Sequence, residues 1–178
     1  MIEIRKETNA QFKLKVGRSK TGFGLYAMEP ISKGKKIIEY VGRVLTNEPD
    51  DATNGLYIFN INKHLDVDGA PRFNTARYIN HSCRPNAESD TIKDHIWIKA
   101  RRNIMLGEEL TYDYGKEYFD EYIKPKGCRC EKHLVLAKNQ KNAQDKKSTK
   151  TKKNKRVSKK SRSLAGKSKK VTSAKNKK

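Results

Sequence analysis

The last 42 residues, 137–178, hold 18 Lys or Arg, one acid (Asp145) and no aromatic residue, a net charge of +17. Their only large aliphatic residues are Val157, Leu164 and Val171. Such a segment buries too little apolar surface to offset the ordering of its chain, so its composition predicts a disordered arm. The fold must be sought in residues 1–136, where all eight Tyr, all five Phe and the one Trp lie. A body of that size suits a single domain with a modest core. The chain's formal charge of +21 therefore divides unequally, since 23 basic and 19 acidic residues leave the body only +4.

No run of 18 apolar residues exists, which excludes a membrane-spanning helix. The first residues, Met1-Ile-Glu-Ile-Arg-Lys, lack the apolar stretch of a signal peptide, so a reducing compartment is expected. Cys83, Cys128 and Cys130 are odd in number and include a C-x-C pair. Metal ligation explains that pattern better than disulfide stapling.

Within the body, residues 12–16 alternate apolar and basic side chains, the period of a half-exposed strand. Residues 37–41, 56–61 and 95–99 are short, rich in β-branched and aromatic residues, and bounded by Gly, Pro, Asn or Asp. Helical periodicity is confined to 116–123, where Tyr118, Phe119 and Tyr122 can share one face. The expected architecture is mainly β, with small sheets and long functional loops.

Three segments are dense in chemistry. TGFGLYA at 21–27 sets two glycines around an aromatic residue, which makes either a tight turn or a backbone that a ligand can approach closely. No helix follows it, so a dinucleotide-binding fingerprint is not supported. ARYINHSCRPN at 76–86 concentrates amide, imidazole, hydroxyl and thiol groups that are costly to bury without partners, which favours a site. GEELTYDYG at 107–115 puts Tyr112 and Tyr114 on one face of a strand, as core packing or as part of a site.

Taken in order, G-x-G with Leu-Tyr-Ala, then RYINHSC-x-PN, then GEELTYDYG, the segments resemble the SET domain family of protein-lysine methyltransferases. The likeness takes in Glu39-Tyr-Val-Gly42 and the later Cys128-Arg-Cys130, about residues 20–133 in all. It implies a SET fold of several small sheets and short helices with a pseudoknot-like C-terminal threading. The implied division is an N-terminal strand region at 1–19, a catalytic domain at 20–115, a post-SET-like segment at 116–136 and the basic tail.

The resemblance implies S-adenosylmethionine as cofactor, with the backbone of Phe23 and Gly24 against its methionine part. Asn80 and His81 would hold its amine and adenine, and Tyr57 would add a contact. A Cβ at Gly24 would then obstruct the ligand. The substrate lysine would enter a channel lined by Tyr40, Tyr112 and Tyr114, with Tyr114 at the catalytic position. Tyr112 stands where relatives carry Phe or Tyr, and the hydroxyl implies a preference for monomethyl-lysine.

Cys83, Cys128 and Cys130 match three ligands of a family zinc site whose usual fourth cysteine is missing here. His133 can complete a Cys3His set; the alternative is that the site has decayed to free thiols. The tail reads either as a solvated extension or as an arm that binds nucleic acid without sequence preference. The implied substrate is a histone or another basic, lysine-bearing protein. The setting is chromatin of the protein's own or a host nucleus, or a bacterial nucleoid or cytoplasm. An inactive or reader domain on a nucleic-acid-binding architectural protein is the contrasting reading, but such a copy is expected to have lost Tyr114, Asn80 or His81, and all three are present.

Overall fold

The computed structural model of the chain describes residues 4–5, 8–46, 55–137 and 139. Among the described residues ten short strands make four small sheets, in accord with the mainly β expectation. The central sheet has the order β3-β9-β8, from Lys36–Tyr40, His95–Ala100 and Ala87–Ile92. Its inner face follows from alternation, since Ile96, Ile98 and Ala100 of β9 are buried while Trp97 and Lys99 are only half-buried. Ile37 and Ile38 of β3 bury against them in the same core. The β8–β9 hairpin turns on Lys93 and Asp94, both at positive φ (48° and 61°), the twist that two-residue hairpin loops require.

A second sheet of order β4-β6-β5 packs Arg43–Thr46, Leu65–Asp68 and Ile58–Asn62, with Val44, Leu45 and Val67 buried. Strands β1 (Leu14–Ser19) and β2 (Gly22–Ala27) pair antiparallel in full register. The two-glycine segment is thus itself a strand rather than a turn. The fourth sheet is the smallest, a parallel pair of β7 (Asn80–His81) and β10 (Thr111–Tyr112). It lays two segments 31 positions apart side by side, Thr111 against Asn80 and Tyr112 against His81.

The predicted helix at 116–123 forms as one α-helical turn, α1 (Lys116–Tyr118), followed by a π-helical turn over Phe119–Ile123. The wider π turn changes the expected face. Tyr118 and Tyr122 pack as tilted rings with centroids 4.8 Å apart, while Phe119 meets His81 at 5.4 Å. The described residues up to His133 form one compact unit, and beyond it 134–137 and 139 are helical. Among the described residues no helix is long and apolar enough to cross a membrane. The arm expected to be disordered lies outside the described residues apart from 137 and 139.

Candidate active site

The parallel pair β7/β10 brings the second and third chemical segments together, and Asn86 fastens them. Its buried amide donates to the Glu109 carbonyl at 2.8 Å and to Glu108 Oε1 at 3.1 Å, while its Oδ1 accepts from the Thr111 N–H at 2.8 Å. The first segment joins through Asn80. Its side-chain nitrogen donates to the Phe23 carbonyl at 2.8 Å and to Glu109 Oε1 at 2.7 Å. Here the structure adds a reason for Gly24, because a Cβ there would stand 2.6 Å from Glu109 Oε1, the carboxylate that holds Asn80.

Around this junction opens a cavity of about 940 Å³. Phe23, Tyr57 and Asn80 line it, as do Tyr40, Tyr112 and Tyr114. Gly24 and His81, assigned from the sequence to the same cofactor, are not among the lining residues. The His81 ring stands instead between Cys83 Sγ, 3.3 Å from Nε2, and the rings of Tyr114 and Phe119. The Tyr114 N–H donates to His81 Nδ1 at 3.3 Å, which leaves Nε2 to carry the proton toward sulfur. Burial pushes the imidazole's pKa down, more than nearby Asp113 pushes it up, and favours this neutral form.

The tyrosines are tightly held. Tyr40 Oη donates to the Tyr57 carbonyl at 2.9 Å, and Tyr114 Oη to the Ile79 carbonyl at 2.7 Å. Gly69 makes room for the first of these rings, since a Cβ there would lie 2.2 Å from Tyr40 Oη. Tyr112 and Tyr114 pack at 4.8 Å, and Tyr112 also stacks on Phe59 at 6.4 Å. Burial drives the pKa of Tyr40, Tyr112 and Tyr114 strongly upward, so all three stay protonated donors at neutral pH.

Three wall residues carried no role in the sequence reading. Tyr118 packs edge-on to Tyr114 at 5.0 Å and donates from its hydroxyl to the Leu56 carbonyl at 3.1 Å. Tyr122 continues the file of rings. Arg77 lays its guanidinium 4.2 Å over the Tyr57 ring, with Nη1 donating to the Ala70 carbonyl. Its Nε is the one buried side-chain nitrogen or oxygen without a hydrogen-bond partner among the described residues, a donor facing no acceptor of the protein's own. Arg77 adjoins the NHSC motif, so nearness to that motif was the available signal; the spacing of Tyr118 and Tyr122 suggested only helix packing.

Cys83, Cys128, Cys130 and His133 converge as the sequence suggested, with their four ligand atoms within 4.8 Å of one another. Cys83 and Cys128 lie 3.9 Å apart, where a tetrahedral zinc with Zn–S near 2.3 Å sets sulfurs about 3.8 Å apart. Cys130 Sγ is 3.2 Å from His133 Nδ1. Burial works against the Cys130 thiolate, but hydrogen bonds from the Cys83 backbone and His133 outweigh it and pull the thiol down to about 6. Cys83 is pushed up to about 12 by burial and by its two sulfur neighbours.

Residues 22–115 match the SET domain family model. The chain belongs to the SET domain family. It is 41% identical over 128 residues to the histone-lysine N-methyltransferase trithorax of Drosophila virilis, covering 64% of this chain and 3% of that protein. It is 42% identical over 120 residues to the H3 lysine-4 specific histone-lysine N-methyltransferase of Schizosaccharomyces pombe, covering 60% of this chain and 13% of that protein. Histone-lysine N-methyltransferase 2D of Homo sapiens is 37% identical over 121 residues, covering 61% of this chain and 2% of that protein. The chain thus spans only a small part of the length of these relatives.

Proposed function

We propose that this SET protein is a protein-lysine N-methyltransferase that uses S-adenosylmethionine and acts on histones or similarly basic proteins. The observation that carries the reading is the file of phenol rings, buried Tyr40 and Tyr112 with partly buried Tyr114, in a cavity also lined by Asn80, Phe23 and Arg77. When bound, S-adenosylmethionine supplies an electrophilic methyl group on sulfonium to a nucleophile aligned with its carbon–sulfur bond. The residues present suit it, with Arg77 Nε free to meet a carboxylate and Phe23 half-exposed to cover an apolar part.

The protein's task is then alignment and deprotonation. A free lysine amine has a pKa of about 10.4 and is a nucleophile only when neutral. An aromatic channel strips water from the ammonium and disfavours its charged form. Protonated phenols are too weakly basic to take that proton, so it leaves to solvent along the channel. The Tyr114 hydroxyl, fixed by Ile79, keeps the ring placed against the reacting groups. The Tyr112 hydroxyl occupies space that a methylated amine needs for a second transfer, which favours monomethyl product.

The Cys3His cluster supports one structural zinc ion, held by Cys83, Cys128, Cys130 and His133. Zinc would fasten residues 127–133 beside the channel through the His81 contact to Cys83. The tail's 18 cations suit nonspecific contact with nucleic acid, in keeping with work at chromatin. The test is to incubate the chain with methyl-labelled S-adenosylmethionine and core histones, alongside a sample without added substrate to expose labelling of the tail itself. Label on lysine supports the reading; no label on any protein sinks it.

A further inference from the structure

The body's +4 conceals a segregation of charge. Residues 13–36 hold seven basic side chains and one acid, while 108–121 hold six acids and one lysine. In the fold the basic residues are densest where the turn before β3 meets the end of β9. The Gly34 N–H donates to the Ala100 carbonyl at 2.7 Å, the Ala100 N–H to the Lys35 carbonyl at 2.9 Å, and Lys36 is the register partner of Lys99. Lys33, Lys35, Lys36, Arg101 and Arg102 are all exposed at this corner.

The acids facing them from β8 are Glu88 and Asp90, opposite Lys99 and Trp97. Asp90 is taken by Lys99 at 2.9 Å, and Arg102 is paired with Glu108. No described carboxylate pairs with Lys33, Lys35, Lys36 or Arg101. Like charges crowded in this way repel, yet the frame beneath them is firm. The Lys33 N–H donates to Asn103 Oδ1 at 2.9 Å, Gly34 turns at φ +81°, and the Lys36 ammonium sits 4.7 Å over the Trp97 ring.

We propose that this corner binds the phosphodiester backbone of a nucleic-acid duplex, a contact made by the folded domain in addition to any made by the tail. Ammonium point charges and one guanidinium, with Trp97 half-buried beneath Lys36, suit phosphate oxygens better than an acidic protein that needs an apolar anchor. Lys36 and Tyr40 end the same five-residue strand, so the corner lies about 13 Å from the channel wall at ordinary strand rise. Asp113, Glu117 and Glu121 line the cavity and repel the same polyanion, which leaves that opening to a basic protein segment. A substrate protein resting on a duplex would thereby meet two sites of opposite charge on one domain.

The test uses the full chain and a labelled duplex of arbitrary sequence, with affinity measured against salt, and is independent of the methyl-transfer reading. A Lys33→Gln/Lys35→Gln/Arg101→Gln variant loses three phosphate contacts, so its log–log salt slope becomes shallower by about 2.7. Between 50 and 200 mM salt the unsubstituted chain then loses roughly 40-fold more affinity than the variant. A control with Lys63, Arg72 and Lys126 changed to Gln keeps the original slope. A variant slope equal to the control's overturns the proposal. So does weaker binding of the variant to polyglutamate with its duplex slope unchanged, which would assign the corner to an acidic protein.

Discussion

The proposed lysine channel and the Cys3His corner touch through His81, yet they are built on opposite principles. The channel rings are held by the protein's own bonds: Tyr40 by the Tyr57 carbonyl and the space at Gly69, Tyr114 by the Ile79 carbonyl. The corner gathers Cys83 from the loop after β7 and three ligands from 128–133, linked by thiol–thiol and thiol–imidazole contacts. The first is organised by hydrogen bonds and ring packing, and the second by thiol and imidazole contacts that the proposed zinc ion would tie together. Loss of that proposed ion should therefore disturb residues 128–133 more than the rings.

The sharpest way to break that contrast is Tyr114→Phe. It removes the hydroxyl fixed by Ile79 but keeps the ring, so kcat should fall on the order of 100-fold with little change in melting temperature. A proportional loss of stability would mean that the phenol is mainly a structural bond. Next comes the corner: Cys128→Ser should abolish stoichiometric zinc and lower kcat/KM by roughly 10- to 100-fold. Well below one zinc per chain in active protein would detach metal from function.

Gly69→Ala probes the channel from behind. A Cβ 2.2 Å from Tyr40 Oη must displace the ring, costing about 1–3 kcal/mol of stability and raising KM for a lysine peptide. Unchanged KM would remove Tyr40 from the channel wall. Tyr112→Phe is gentler, shifting product toward dimethyl-lysine at near-normal rate in a mass-spectrometric time course. A product ratio equal to that of the unsubstituted chain would refute the monomethyl assignment.

The smallest expected effect lies at Glu108, beneath the junction of the motifs. Burial raises its carboxyl pKa, but hydrogen bonds from Arg102, the Met105 N–H and Asn86 outweigh this and hold it below the ordinary 4.5. The unfolded chain therefore binds this proton more readily. The stabilisation is fully present above about pH 4.5 and is lost as pH falls through the lowered folded value. Melting temperature should drop more steeply below pH 4.5 in the unsubstituted chain than in Glu108→Gln, and parallel curves would contradict the assignment.

What was legible in the sequence follows from the same contrast. Strands β3 and β9 are dense in buried isoleucine and announced themselves, whereas β8, AESDTI, is a largely exposed edge strand whose polar residues hide it. The alternation read at 107–115 is cut short, since β10 ends at Tyr112 and Tyr114 lies beyond it; β7 is too short to show a period, and the pairing of Thr111 with Asn80 is a tertiary fact. The Cys3His set was legible because ligand chemistry restricts residue type. Arg77 was not, since its isolated Nε depends on burial that spacing does not report. A net charge of +4 likewise hid the division between a basic corner and an acidic cavity rim.

The central claim is tested most directly by mass spectrometry of core histones incubated with the chain and methyl-labelled S-adenosylmethionine, run in parallel with Tyr114→Phe. The expected result is label on the ε-nitrogen of lysine, chiefly as one methyl group, and its near disappearance in the variant. Lysine label that persists in Tyr114→Phe, or label confined to other residue types, would contradict the account.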